Sequence, residues 1–392
     1  GRELNISENR SVLHVALRSS VNELVVNNCN VMSEIKETLS KMEEFSTNVR
    51  LGKVVSSTKM KFSDVVNIGI GGSSLGVKMA INALAPYNDG PRCHFVSNVD
   101  SANIADILKN LNPQTTLVII ASKTFKTLET LTNAKTAISW LKKSVSLAFS
   151  EHLVAVSSAS EETKKYGIWK DRVFSFPDGV GGRYSIWGPI GLPVMIAIGA
   201  QKFLSFLAGA EKMDQHFFKQ EFHENLPVLL AMVGIWHRNI CKYPSRAVLP
   251  YEHRLAELPS YLQQLDMESN GKHVSSDGQD LSFDTSPLVW GGAGTDGQHA
   301  FYQMLHQGTS IIPCEFLIGA HGHEPHLKHQ HDLLIANCLA QSEALMKGKI
   351  SERISLVTAS KECLGNRPSV TLLYKKLTPE VLGSLIALYE HR

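Results

Sequence analysis

The chain has 392 residues, 43% of them apolar and 19% charged, with a formal net charge of +2. That length allows two or three domains with sizeable cores, and the balanced charge gives no strong field for nucleic acid or a membrane surface. No apolar run approaches the ~18 residues of a membrane span, and the six cysteines (Cys29, Cys93, Cys241, Cys314, Cys338, Cys363) form no CxxC pair, the pattern of reduced thiols in a cytoplasmic protein.

The opening, GRELNISENR, lacks a charged-then-apolar signal pattern. SENRSVLHVALR reads as a short helix after an extended start. Val21, Leu24, Val25, Val31, Ile35, Leu39 and Met42 then recur at near-helical spacing. Residues 1–50 are therefore expected to form an N-terminal helical segment.

The stretch VVNIGIGGSSLG (65–76) organises the rest of the chain. Val65, Val66, Ile68 and Ile70 form a β-branched run of the kind buried in a parallel sheet. It breaks at Gly71-Gly72-Ser73-Ser74 and continues as a helix-like stretch, Leu75–Ala85. Strand, glycine turn and helix is a layout that aims free backbone N–H groups at an anion. The turn is not a dinucleotide fingerprint, because the third glycine would fall on Ser74. Nor is it a Walker loop, because Val77 follows Gly76 where a Lys is needed. A glycine and serine cradle for one phosphate remains, against the plainer reading of a ligand-free turn.

Strand-like runs continue at Cys93–Ser97, Leu117–Ala121, Leu153–Ser157 and Val173–Phe176, after the first at Val65–Ile70. Helix-like stretches at Ser101–Leu111, Thr127–Leu141 and Ser160–Tyr166 separate them. This alternation calls for a doubly wound parallel α/β sheet with right-handed crossovers. LVIIASKTFKTLET (117–130) repeats the opening device, with Ser122, Lys123, Thr124 and Thr127 between a buried strand and a helix. A second cradle strengthens the phosphate reading; plain helix capping by the hydroxyls is compatible with it. DGVGGRYSIWGPIGL (178–192) puts Arg183 among glycines, where it can approach an oxyanion closely or serve as a surface turn residue. Pro193–Leu207 reads as one apolar helix able to bridge two domains.

A second alternating unit comes next: helix-like Leu226–Ile240, strand Ala247–Pro250, helix-like Glu252–Glu268 and strand Ser286–Trp290. A glycine loop opening a helix (GGAGTDGQHAFYQMLHQ), strand Ile311–Ile318 and helices Leu327–Met346 and Pro379–Glu390 complete it. In YLQQLDMESNGK (261–272), Glu268 stands at a helix C-terminus with Gly271 as its cap. A carboxylate there meets the negative end of the helix dipole, which favours taking up a proton and suits a general base. The alternative is an exposed surface Glu. His299, opening a helix after Gly294–Gln298, can exchange protons with a ligand held at that loop, or be satisfied within the fold. His321, His323, His326, His329 and His331 raise a metal site, but their spacing does not match HExxH. A metal is not expected there.

Eight blocks in order (VVNIGIGGSSLG, HFVSNVD, ASKTFKTLET, VGGRYSIWGPIG, YLQQLDMESNGK, GTDGQHAFYQMLHQGT, GNRPS, LGSLIALYEH) resemble the glucose-6-phosphate isomerase family over essentially the whole chain. The resemblance implies an α/β fold of two doubly wound parallel-sheet domains, each a SIS-type, flavodoxin-like α-β-α sandwich. It places the first at residues 51–190 with the phosphate cradle and the second at 191–392 with the catalytic Glu and His. It further implies cytoplasmic interconversion of glucose 6-phosphate and fructose 6-phosphate, in glycolysis and gluconeogenesis, with no metal and no organic cofactor. Carried over by position, Gly72 and Ser73 touch the sugar phosphate, and Ser122, Lys123, Thr124 and Thr127 form the main cradle. Gln264 helps hold the substrate, Glu268 moves the proton between C1 and C2, and Arg183 stabilises the enediolate. His299 assists ring opening from the partner subunit of a homodimer.

The departures are mild: Lys126 stands where the family commonly has Thr, Gly188-Pro189 where it has Ser-Ala, and Ser74 where it often has Asp. The family's ring-opening lysine is expected beyond residue 392. The chain lacks an initial Met and stops within a helix-like stretch, so both ends are expected to be cut. Two competing expectations remain, a non-catalytic SIS-type sugar-phosphate-binding regulator and a metal-dependent isomerase using the His321–His331 cluster.

Overall fold

A computed structural model describes residues 4–5, 10–175, 177–349 and 362–392. Most of the expected extended opening, and Phe176 at the end of the fifth expected strand, lie outside the described residues. The chain divides into two units, Gly1–Gln215 with Leu382–Ala387, and His216–Val381 with Leu388–Arg392. This is coarser than the three segments read from the sequence, since residues 1–50 belong to the first unit.

The first unit begins differently from the helical preface expected over residues 21–50. Val25–Val26 and Cys29–Asn30 pair as a short antiparallel hairpin, turned by Asn27 and Asn28 at φ 50° and 62°. Two positive φ values in a two-residue loop are what a tight hairpin turn requires, and Asn tolerates them. Only then does α1 (Val31–Leu51) start. The Asn30 side chain caps it by accepting from Met32 N, and Gly52 ends it at φ 71°.

The alternating part runs as β1 (Asp64–Ile68), α2 (Leu75–Ala83), β2 (Arg92–Val96), α3 (Ser101–Leu108), β3 (Thr116–Ala121), α4 (Leu128–Val145), β4 (Leu153–Val156), α5 (Ser160–Lys164) and β5 (Val173–Phe174). All five strands are parallel, in the order β2-β1-β3-β4-β5. Every residue of β1, β3 and β4 is buried, which explains their unbroken apolar runs. Val66, Ile68, Val118 and Ile120 face Ile104, Leu108, Ala134, Ile138 and Leu141 of α3 and α4. Helix α6 (Leu192–Ile198) packs on the edge strand β2, and α1 and α2 pack on α6.

The single helix expected over Pro193–Leu207 is two, α6 and α7 (Ala200–Lys219), because Gly199 between them takes φ 87° and ψ 155°. Every residue of α6 is buried, and it lies wholly in the first unit rather than bridging two.

The second unit contains α8 (Leu226–Ile235), β6 (Ser245–Pro250), α9 (Leu258–Leu262), β7 (Leu288–Gly291), α10 (Tyr302–Gln307), β8 (Cys314–Gly319), α11 (Lys328–Lys347) and β9 (Ser369–Tyr374). Helix α12 (Pro379–His391) gives Leu382–Ala387 to the first unit. The sheet is again parallel, in the order β7-β6-β8-β9. Ala247, Leu249, Phe316 and Ile318 of its two inner strands pack with Tyr251, Tyr302, Leu305, Cys338 and Leu345. The helix expected over Glu252–Glu268 is broken into a 3-10 turn (His253–Leu255), α9 and a π-helical turn, Gln263–Glu268. All six cysteines are free thiols. Among the described residues no helix is long and apolar enough to cross a membrane.

Candidate active site

The strand order 2-1-3-4-5 reverses direction between β1 and β3, and ligands of doubly wound sheets bind beyond the carboxyl ends of the strands at that point. The two loops singled out in the sequence leave the sheet there. Gly71–Ser73 forms a 3-10 turn after β1, and Asn67, a polar residue inside the apolar run, donates from Nδ2 to Ser73 O at 3.1 Å. After β3, Ser122 is buried and its Oγ lies 3.1 Å from Thr127 Oγ1. Thr127 is the N-cap of α4, yet its side chain makes no capping bond. The first-turn N–H groups of this helix therefore face outward beside Ser122, Thr124 and Thr127, with the positive end of the helix dipole behind them. Plain capping by Thr127 is not what its hydroxyl does.

Lys123 ties this loop to the glycine-rich one. Its Nζ donates to Asp178 O at 2.8 Å and Val180 O at 3.1 Å, and lies 4.0 Å from the Asp178 carboxylate. The lysine's own carbonyl accepts from Ser157 Oγ and Ser158 N. Arg183 sits on the 3-10 turn Gly182–Tyr184 with its guanidinium 5.1 Å from the Tyr184 ring centre. A side chain on Gly72 would stand 2.5 Å from Arg183 N and closer still to Gly182 C and O. Gly72 is thus a packing requirement: the Arg183 turn rests directly on the Gly72 backbone. In this unit the structure brings together Gly72, Ser73, Ser122, Lys123, Thr124, Thr127 and Arg183.

Gln264, Glu268 and His299 belong to the second unit. Gln264 and Glu268 are four residues apart on the π-helical turn and share a face of it. Gln264 Oε1 is buried with no hydrogen-bond partner among the described residues, an acceptor suited to a ligand hydroxyl. Glu268 is exposed. The turn ends at Gly271, whose N–H donates to Met267 O at 2.8 Å, and Lys272 Nζ covers the carbonyls of Glu268 and Ser269. Val289 N on β7 donates to Met267 Sδ at 3.4 Å, which sets the turn beside that strand. The loop after β7 leads into the 3-10 turn Asp296–His299, where His299 is exposed.

A model of the phosphoglucose isomerase family matches residues 1–392. The glucose-6-phosphate isomerase of Ruegeria sp. (strain TM1040) is 58% identical, the match taking in 100% of this chain and 76% of that protein. The chain belongs to the phosphoglucose isomerase family. The same-named protein of Chelativorans sp. (strain BNC1) is 56% identical over 100% of this chain and 75% of its own length. Among solved structures, a glucose-6-phosphate isomerase from Chlamydia trachomatis D/UW-3/Cx superposes with a TM-score of 0.88 at 36% identity, covering 98% of this chain and 73% of that one.

For this member of the phosphoglucose isomerase family, sequence reasoning passed over several residues that shape the site. Asn67 holds the first cradle, and the backbone of Gly72 supports the Arg183 turn. Asp266 is buried behind Gln264 and Glu268. Burial pushes its carboxyl up, but Arg246 and then Arg392 more than offset this and hold it below the usual carboxylate range. The readable signal was a charged residue within each of the apolar strands SRAVLP and CEFLIG, Arg246 and Glu315. In the histidine stretch, His323 Nε2 lies 2.7 Å from Leu377 O and His331 Nε2 2.9 Å from Gly319 O. Among the described residues no group of three or more metal-ligating side chains comes together.

Proposed function

We propose that this chain carries the reversible aldose–ketose isomerisation of D-glucose 6-phosphate and D-fructose 6-phosphate, acting in glycolysis and gluconeogenesis in the cytoplasm. The observation that carries the phosphate half of this reading is the first turn of α4, left without a side-chain cap between Ser122 and Thr127. The names of relatives identical at more than half their aligned positions supply the particular sugar.

In this reading Gly72, Ser73, Ser122, Lys123, Thr124 and Thr127 hold the phosphate. That grip lies far from the reacting carbons and supplies binding energy that orients them. Glu268 takes the proton from C2 of the aldose and returns it to C1 on the same face, so one carboxylate serves both half-reactions. Arg183 places positive charge where the enediolate oxygen develops, an interaction strengthened by exclusion of water. Gln264 accepts from a sugar hydroxyl. His299 assists ring opening in the partner subunit of a homodimer. His299 is exposed in its own chain, which is compatible with that role.

Glu268→Gln tests the reading. Titration with fructose 6-phosphate should give unchanged binding, while conversion to glucose 6-phosphate falls by about 10²–10⁴-fold. Undiminished turnover in this variant would remove Glu268 as the base. An unsubstituted chain that binds sugar phosphate without converting it would overturn the enzymatic reading.

A further inference from the structure

The π-helical turn Gln263–Glu268 departs from the regular i→i−4 ladder, so its register depends on what holds it from outside. Asp266 stands midway between Gln264 and Glu268, and residues two apart on a helical turn do not share a face. Its side chain is buried on the side away from those two. The Oδ2 atom accepts from Arg246 Nη2 and Arg392 Nη1, both at 2.8 Å. The Oδ1 atom accepts from Asn270 Nδ2 at 2.9 Å and Ser286 Oγ at 3.2 Å. An ionised carboxylate offers about four acceptor positions, and all are used.

The bonds do not end at Asp266. Arg246 lies on the inner strand β6, and its Nη1 donates to Glu315 Oε2 at 2.7 Å on the neighbouring inner strand β8. Tyr389 Oη donates to the same Glu315 oxygen at 3.1 Å. The back of the turn is therefore fixed to the two central strands of its sheet by charge-assisted bonds, and it cannot roll about its axis without breaking several at once.

We propose that Asp266 is a positioning residue for the isomerisation, the anchor that sets, through Arg246 and Arg392, where the Gln264 and Glu268 side chains stand. This rests on the reading of Glu268 as the base. Asp266 touches no substrate; it acts through the turn it fixes. Displacing a proton acceptor by about 1 Å costs on the order of 10²-fold in rate. The phosphate grip, carried by other loops, should be left as it was.

The test uses the full chain with Asp266→Asn, Asn270→Ala and Glu268→Gln side by side. Asp266→Asn keeps shape but removes the negative charge between the two guanidinium groups and one of the two acceptor oxygens. Its kcat should fall by about 10²-fold while KM for fructose 6-phosphate stays within about threefold. The pH dependence of kcat should also move, because the base stands in altered surroundings. Asn270→Ala leaves both ion pairs and removes one bond; kcat should fall by about 3–10-fold at unchanged KM. If Asp266→Asn does not fold, Asn270→Ala decides. A lower melting temperature with wild-type kcat and pH profile per folded molecule would show a merely structural role and overturn the proposal. Undiminished turnover in Glu268→Gln would remove the base reading and this proposal with it. Silent Asp266 and Asn270 variants beside an inactive Glu268→Gln would remove this proposal alone.

Discussion

Adding one methyl group at Gly72 would separate a cradle that only binds phosphate from one that also sets the Arg183 turn. In Gly72→Ala the new carbon stands 2.1 Å from Gly182 C and 2.5 Å from Arg183 N, where ordinary contact begins at 3.4 Å, so the two backbones must part by more than 1 Å. The obstruction is backbone on both sides, which cannot rotate away as a side chain would. Overpacking of this kind costs about 1–3 kcal/mol, or a melting temperature lower by roughly 2–4 °C per kcal/mol in a domain of this size. The larger consequence is geometric. A guanidinium displaced by about 1 Å loses its alignment with the developing enediolate charge, and kcat/KM should drop by about 10²-fold. Fructose 6-phosphate conversion and thermal unfolding would be followed in parallel, with Gly181→Ala as the control. There the nearest atom is Tyr184 Cδ2 at 3.5 Å, an ordinary contact, and little change is expected. Unaltered kcat/KM in Gly72→Ala would refute the reasoning, because the Arg183 turn would then not depend on the Gly72 backbone.

Lys123→Met should release the 178–180 loop: limited proteolysis of the ligand-free chain should cut there faster, and kcat/KM should fall by about 10²-fold or more. Cleavage at the wild-type rate would show that the loop does not rely on the lysine. His152 is fully buried, its Nδ1 2.9 Å from Thr116 O and its Nε2 2.9 Å from Ser57 Oγ, and burial pushes its imidazole down. The unfolded chain then binds the extra proton first, so stability is full above the ordinary histidine range near about 6.5 and falls as pH drops below it. The urea midpoint should fall less over that interval in His152→Gln than in the wild type, and equal slopes would count against it. Phe316→Ala, fully buried on the inner strand β8, should cost about 3–5 kcal/mol in chemical unfolding. Isomerase activity should survive a chelator, since His323 and His331 are engaged by backbone carbonyls; loss of activity would point to a metal.

The alternation of strand and helix was readable because β1, β3 and β4 are buried on both faces and so leave unbroken apolar runs. The features that escaped reading have identifiable causes. Strand β9 lies at a sheet edge with burial alternating along it, so SVTLLY looked unremarkable. The hairpin at residues 25–30 carried its signal in Asn27-Asn28, which helical spacing of the surrounding valines obscured. The break at Gly199 depends on a dihedral that a glycine permits without advertising. In the candidate site, the residue types at 122–127, 183, 268 and 299 suggested a chemistry by themselves, whereas Gln264 entered only through the family resemblance. The Lys123 bonds to residues 178 and 180, and the rest of Gly72 on Gly182, join segments more than fifty residues apart. No local pattern encodes such meetings.

The strip Leu382–Ala387 belongs to the first unit although it lies near the far end of the chain. Ser384 Oγ donates to Gly209 O at 2.7 Å, and only a residue without a side chain at position 383 permits such close approach to Phe206 O. On the ribosome, α7 therefore emerges with this seat vacant. At about 5–20 residues per second, the stretch from Lys219 to Leu382 takes on the order of 10–30 s to synthesise. For that interval the nascent first unit exposes the surface that α12 later covers. Its completion is tied to translation of the second unit, so the first unit matures with the second and not before it.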